Sequence, residues 1–331
     1  MPTPGIVLIL SHTGDPHVGM VTRHLDALGQ RWEWLITDQL GERCRVSYTI
    51  QDDGNCLVRL VTDSGWEGTG NDIRSVWNRR QVVNPGGSNE GSGDELLDQY
   101  VREQRTHLLD NLSFLDHVCW VNHPLGLRAA RPKLLQLVLA RKFGMVIPMT
   151  LCSDDPVEIR RFTAKGNHIT KVVSPGTPLV PNREHQYMVF TQPFDPSSVT
   201  DSQLAAAPAI YQERVNKAAD ARVIMVGDQA FGCRIDSQTA EDTALDWRHY
   251  QEPHVPHTRI DVPPVVHTGL QALHQHFGLR FSASDFAITN DDRWVYLETN
   301  PNGQWGWLEE EAGLPIGQAL AKELADHNAH R

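Results

Sequence analysis

The most constraining feature of the chain lies near its C-terminal end. There Asp285-Phe-Ala-Ile288 and Trp294-Val-Tyr-Leu-Glu298 flank the turn residues Asn290-Asp291-Asp292. Two short apolar runs separated by Asn and Asp read as an antiparallel hairpin. Glu298 and Asn300 are two residues apart, so they project to one side if extended structure persists, and the return strand can bring Asp285 beside them. Two carboxylates and an amide oxygen so placed form a hard-oxygen nest suited to Mg²⁺ and bound phosphates. An ordinary hairpin with polar turn residues accounts for the same spacing, and spacing alone does not choose.

The rest of the chain reads as strands and helices in alternation. Gly5-Ile-Val-Leu-Ile-Leu10 is a buried-strand signal; turn residues 11–16 follow, then an amphipathic helix over 18–28 with Val18, Val21, Leu25 and Leu28 at helical spacing. That order predicts an α/β opening built on a parallel strand. Residues 45–61 alternate around Asp52-Asp53-Gly54-Asn55 and predict a hairpin, and Val76-Trp-Asn-Arg-Arg80 predicts a short strand ending in two cations. A Gly/Ser-rich loop over 84–93 precedes a helix over 94–111, and a boundary is placed near residue 125. A second helix is expected over 128–143, stopped by Gly144. Short strands over 147–150, 169–173 and 188–191 and a helix over 157–165 follow. The last third holds strands over 222–226, 286–288 and 294–298, flanked by helices over 264–277 and 316–327.

A chain of 331 residues buries roughly three-quarters of its unfolded surface, so it needs no disulfide or metal to fold. With 30 Lys and Arg against 41 Asp and Glu, the net charge of −11 argues against a nucleic-acid partner. The opening apolar run, residues 6–10, is far shorter than the ~20 residues of a membrane span, and no signal-peptide pattern precedes it. Five widely spaced cysteines without a C-x-x-C read as reduced thiols, so a cytoplasmic protein is expected.

Several common motifs are missing. The chain has no G-x-x-x-x-G-K-[ST], no G-x-G-x-x-G after a strand and no G-x-S-x-G. Gly65-Trp-Glu-Gly-Thr-Gly70 has the spacing of a plain turn. Of the sixteen histidines, neither His254/His257 nor His267/His274/His276 has the one-turn spacing of a zinc pair, so they read as exposed or locally bonded.

The C-terminal pattern Asp285…Tyr296-Leu-Glu298-Thr-Asn300-Pro resembles the magnesium-binding signature of the ATP-grasp ligase superfamily, an acid followed one hairpin later by Glu-x-Asn. The other parts stand in order: Lys133 on a helix, Gly144-Met-Val-Ile-Pro-Met-Thr150, Thr170-Lys171-Val-Val, Tyr211-Gln-Glu213-Arg-Val215-Asn-Lys217, and Asp220-Ala-Arg222. More narrowly, Val76–Arg80, Asp236-Ser-Gln238, Asp246-Trp-Arg248 and 300–309, with Gly313-Leu-Pro-Ile-Gly-Gln-Ala319, resemble the ATP-grasp peptide maturases that make graspetides, the microviridin-type cyclases. The resemblance runs from Ile6 to Leu324. It implies an α/β and α+β ATP-grasp fold: an N-terminal α/β (pre-ATP-grasp) domain over 1–125, a central lobe over 126–212 and a C-terminal lobe over 213–331, with ATP between the last two.

The resemblance also implies roles. Lys133 and Lys171 hold the α- and β-phosphates; Glu213, the Val215 backbone, Lys217 and Asp220 line the adenosine pocket; Asp285, Glu298 and Asn300 hold Mg²⁺. Arg222 and Arg248 are the candidates for the γ-phosphate and the incoming carboxylate, since guanidinium forks suit both anions. Lys133 and Lys217 also fit solvated helix lysines, and Arg248 fits a local pair with Asp246. Ser174-Pro-Gly-Thr177 departs from the glycine-richer phosphate flap of general ATP-grasp enzymes. Trp247, Trp305 and Trp307 are either peptide contacts or core. The implied activity joins Asp or Glu side chains of a precursor peptide, bound through its leader, to Ser/Thr hydroxyls or Lys amines, by a protein that pairs into a homodimer. The alternatives are a ligase adding an amino acid to another molecule, and a nucleotide-binding module that has lost catalysis; the latter predicts defects among Asp285, Glu298 and Asn300, all of which are present.

Overall fold

Strand β1, Ile6–Ser11, is buried at every position, and its two faces feed two different cores. In this computed structural model, which describes residues 5–84, 92–173, 191–248 and 255–326, Val7 and Ile9 pack on one side, and Ile6, Leu8 and Leu10 on the other. That two-residue period is the pleat of a strand covered on both faces. Helix α1, Pro16–Ala27, follows; Asp15 caps it by accepting from the His17 amide, and Pro16 fits the first turn, where no N–H is needed. Strand β2 is Trp32–Ile36. A separate antiparallel sheet of β3 (Arg45–Ile50), β4 (Cys56–Val61) and β5 (Glu67–Thr69) contains the expected hairpin. Strand β6 is Ile73–Arg80, helix α2 is Glu95–Asp110 and strand β7 is Cys119–Val121; the four-stranded sheet β2-β1-β6-β7 is parallel throughout.

The helix expected over 128–143 is two helices, α3 (Pro124–Ala129) and α4 (Lys133–Lys142). Pro132 has no N–H to donate and biases the residue before it away from helical geometry, so the helix breaks there. Gln136 Nε2 occupies the Ala130 carbonyl at 2.6 Å instead. The next strand, β8, is Thr150–Ser153, three residues later than expected, and helix α5 is Pro156–Thr163, capped by Asp155. With β9 (His168–Val172), β10 (Gln192–Phe194), the short α6 (Asp201–Leu204) and β11 (Ala209–Glu213), they form an antiparallel sheet of order β10-β9-β11-β8. Its core is small: Ile159, Leu204 and Tyr211. The expected loop over 84–93, the strand over 188–191 and the 174–177 flap fall largely or wholly outside the described residues.

The third sheet has order β14-β13-β12-β15-β16, antiparallel throughout, from β12 (Lys217–Val226), β13 (Gln229–Ile235), β14 (His257–Ile260), β15 (Phe281–Thr289) and β16 (Trp294–Asn300). Helix α7, Pro264–Phe277, has the bounds expected from sequence. Gly232 lets β14 approach closely, since a Cβ there would stand 2.5 Å from the Ile260 carbonyl oxygen. Helices α8 (Gly306–Ala312) and α9 (Ile316–Ala325) then pack against both this sheet and the N-terminal unit. Ile316, Leu320 and Leu324, one turn apart, join Val7, Ile9, Val21, Ile224 and Phe281 in a single core. Each such burial contributes roughly 1.5–3 kcal/mol. The Leu324 and Ala325 carbonyls accept from Ser75 Oγ at 2.8 Å and Arg74 Nη2 at 2.6 Å. Among the described residues no helix is long and apolar enough to cross a membrane, and the five cysteines are free thiols.

One buried histidine gives the fold a pH dependence. His274 bonds Ser282 Oγ at 2.7 Å, and burial pushes its pKa down from 6.5 to about 4. The unfolded chain therefore takes up this proton first. The contribution is complete above the unfolded value and is lost as pH falls towards the folded one, by up to about 3 kcal/mol. Urea midpoints of the wild type and His274→Met, compared across this window, are expected to converge as pH falls. Parallel pH profiles would refute the assignment.

Candidate active site

Three adjacent strands line up the central residues. The register places Arg222 of β12 opposite Asp285 of β15, and Asp285 opposite Glu298 of β16. The hairpin expectation therefore holds for the two carboxylates. Arg222 grips Asp285 with a fork, Nε to Oδ1 at 2.9 Å and Nη2 to Oδ2 at 3.0 Å, and its Nη1 reaches the Gln304 carbonyl at 3.2 Å. Trp247 covers the guanidinium, with the ring centroid 4.8 Å from Cζ. Lys133, at the start of α4, reaches Glu298 Oε2 at 3.1 Å. Arg248 Nη1 lies 3.9 Å from Glu298 Oε1, but its main engagement is the fork on Asp246 at 2.8 and 2.7 Å. The local pair considered from sequence is thus present.

These carboxylates open into a cavity of 370 Å³ lined by Lys171, Glu213, Val215, Lys217, Asp220, Trp247 and Arg248, as well as Asp285 and Glu298. Lys171 projects from β9 and bonds Gln212 Oε1 at 3.0 Å, while Gln212 Nε2 donates to Thr150 Oγ1 at 2.9 Å. A polar ladder across β9, β11 and β8 therefore aims the lysine. Lys217 Nζ bonds Asp220 Oδ2 at 2.6 Å and the Leu245 carbonyl at 3.1 Å; Ser237 Oγ donates to the same Asp220 oxygen at 2.5 Å. Glu213 and Val215 sit where β11 passes into β12, the link between two sheets.

Asn300 departs from expectation. It ends β16, is exposed, and its Oδ1 accepts from the Asn302 amide at 3.0 Å, so it closes the next turn instead of lining the cavity with Asp285 and Glu298. It faces a second cavity of 630 Å³ on the other side of the Arg222–Gln304 contact. The tryptophans also divide: Trp305 is fully buried against His17, whereas Trp247 stands at the site and tilts on Trp307 at 5.3 Å.

The electrostatics match the crowding of cations. Burial would raise the pKa of Glu298, but Lys133, Lys171 and Arg248 outweigh it and hold the carboxylate below its ordinary value. Burial lowers that of Lys171, with Lys133 and Arg248 adding to the effect against the pull of Glu298. The Asp246 hydrogen bond raises Arg248. Asp220 is pushed up by burial, against Lys217 and Ser237. Carboxylates lining a cavity beside lysine and arginine suit a polyphosphate carrying a divalent cation. The donor set fits Mg²⁺ in kind, being all oxygen. Among the described residues no group of three or more His, Cys, Asp or Glu side chains is placed to hold one metal ion, so further ligands would come from phosphate.

Sequence reasoning missed Gln212, which aims Lys171, and the buried network of Asp15, His17 and Arg79 beneath the loop after Asn300. Arg79 Nη1 donates to the Asn302 carbonyl at 2.7 Å, and His17 Nε2 accepts from the Gly306 amide at 3.1 Å. The two cations ending β6 were the visible signal for Arg79; nothing marked Gln212.

No family model matches the sequence, and no curated protein matches it significantly. Solved structures do match. The macrocyclase MdnC of Microcystis aeruginosa, solved with its precursor peptide MdnA, is 26% identical with a TM-score of 0.81, covering 96% of this chain and 99% of its own. A RiPP-associated ATP-grasp ligase of Chryseobacterium gregarium, solved with ADP and a leader and core peptide, superposes with a TM-score of 0.85 at 23% identity over 98% of both chains. The ATP-grasp ligase PsnB, solved with a minimal precursor, Mg and ADP, gives 0.74 at 22% identity over 96% of both chains.

Proposed function

We propose that this chain, an ATP-grasp ligase that matches peptide macrocyclases along its whole length, activates Asp or Glu side chains of a ribosomally made precursor peptide and closes them onto Ser/Thr hydroxyls or Lys amines. The observation that carries the reading is Asp285 and Glu298 side by side in the lining of a cationic cavity, with Arg222 forked on Asp285. The likeness to MdnC supports the class of substrate. A division near residues 125 and 212 goes with it, supported by the way each sheet draws its strands from one stretch of chain.

A carboxylate does not condense with an alcohol or amine in water, because its leaving group is poor. An oxygen of the substrate carboxylate attacks the γ-phosphorus of ATP, the β–γ bridging bond breaks and ADP leaves. The hydroxyl or amine then attacks the acyl carbon, its proton is lost, and phosphate departs. The net change in the peptide is the loss of one water per ring. Lys171 and Lys133 hold the phosphates, and Glu213, the Val215 backbone, Lys217 and Asp220 receive the adenosine. Arg222 and Arg248 face the charge that develops at the transferred group. Asp285 and Glu298 would hold magnesium, which would neutralise phosphate oxygens, and Asn300 would join them only on releasing the Asn302 amide.

The test is mass spectrometry of a precursor peptide after incubation with the protein, ATP and Mg²⁺. Loss of one water per ring, with ADP formed in step, is the expected result. ADP release with a mass gain equal to an added amino acid would replace the reading with an intermolecular ligase.

A further inference from the structure

The second cavity is chemically unlike the rest of the chain. Five arginines line it, Arg79, Arg80, Arg102, Arg128 and Arg131, against one acid, Asp110, in a chain where acids outnumber bases and the net charge is −11. Two of the five are already engaged. Arg79 is buried against Asp15 and the carbonyls of Asn302 and Gly303, and Arg128 pairs with Asp110. Arg80, Arg102 and Arg131 have no acidic partner among the described residues. They come from three separate elements: the end of β6, the middle of α2, and the break between α3 and α4. Like charges gathered from three elements repel one another unless an anion joins them.

The cavity also has a definite relation to the site. Gln304 lines it, and the Gln304 carbonyl takes Arg222 Nη1, whose other nitrogens hold Asp285 on the nucleotide side. Arg222 therefore links a lining residue of one cavity to a lining residue of the other.

Resting on the function proposed above, we propose that the second cavity seats an acidic segment of the peptide: Arg80, Arg102 and Arg131 hold carboxylates flanking the one that is activated. The arginines make the enzyme selective for clustered Asp and Glu, over and above any contact with a remote part of the substrate. Arg128 is held in reserve by Asp110, which sets the net charge of the cavity.

The test uses the intact protein and a fluorescently labelled synthetic peptide alternating glutamate and threonine, beside its glutamine counterpart, read by anisotropy. The acidic peptide is expected to bind at least about tenfold more tightly, with an advantage that salt erodes. Arg102→Gln/Arg131→Gln should weaken it by about tenfold or more. Arg102→Lys/Arg131→Lys should weaken it less, because charge is kept and only the fork is lost. Asp110→Asn should tighten it by about threefold, a gain that a purely structural role would not produce. Unchanged melting temperatures confirm folding of each variant. Equal binding of the two peptides, or indifference to the glutamine pair, overturns the inference. Arginine-dependent binding without ATP-driven water loss would keep this seat and overturn the proposed reaction. Water loss at an unchanged KM in Arg80→Gln/Arg102→Gln/Arg131→Gln would keep the reaction and overturn the seat.

Discussion

Glu298→Gln is expected to lower peptide-dependent ADP formation by about a thousandfold, the scale lost when a charge aimed at a transferring group or its metal is removed. Glu298 meets Lys133 at 3.1 Å and stands opposite Asp285. Its low pKa means that it works ionised at every ordinary pH. Glutamine keeps the shape and removes the charge. A second readout follows from Lys171, which burial already holds low and Glu298 pulls back up. Without Glu298 its pKa falls further, so any residual activity that needs protonated Lys171 should decline at a lower pH than in the wild type. Steady-state ADP release across pH measures both. A variant within tenfold of the wild type would remove Glu298 from the chemistry.

Arg222→Met should fail twice, and the two failures can be separated. The Arg222–Asp285 fork is nearly buried, with side chains 8% and 10% exposed. Removing one partner of such a pair leaves an uncompensated charge, at a cost of about 3–5 kcal/mol. The variant is therefore expected to melt well below the wild type and to lose ATP turnover. Arg222→Met/Asp285→Leu removes both charges, so stability should return while activity stays absent. If activity returned with stability, neither Arg222 nor Asp285 would belong to the chemistry. Chemical denaturation beside ADP release from the same preparations decides between them.

What could be read from the sequence was what local geometry determines. The turn at 290–292 lies next to both strands it joins, so the pairing of Asp285 with Glu298 followed from spacing. The bounds of α7 followed from its apolar period. Asn300, two residues on, did not obey the same spacing, because its side chain closes the turn to Asn302. The helix over 128–143 was misread because its apolar period runs straight past Pro132, and the period says nothing about a missing donor. Strand β11 was read only as part of the adenosine pocket, since its partners Thr150 and Lys171 lie far off in sequence. The same distance hid the Asp15–His17–Arg79 network and Gln212. Their chemistry is ordinary, and only the fold brings their partners to them.

The packing of α9 against β1 bears on how the protein is made. Val7 and Ile9 are synthesised soon before Val21 and Leu25 of α1 but long before the other side chains of the same core, Leu320 and Leu324 among them. One face of the N-terminal sheet therefore keeps part of its apolar surface uncovered while the segment between α1 and α9 is translated. A contact of such long range favours slow completion of this core, with α9 docking late.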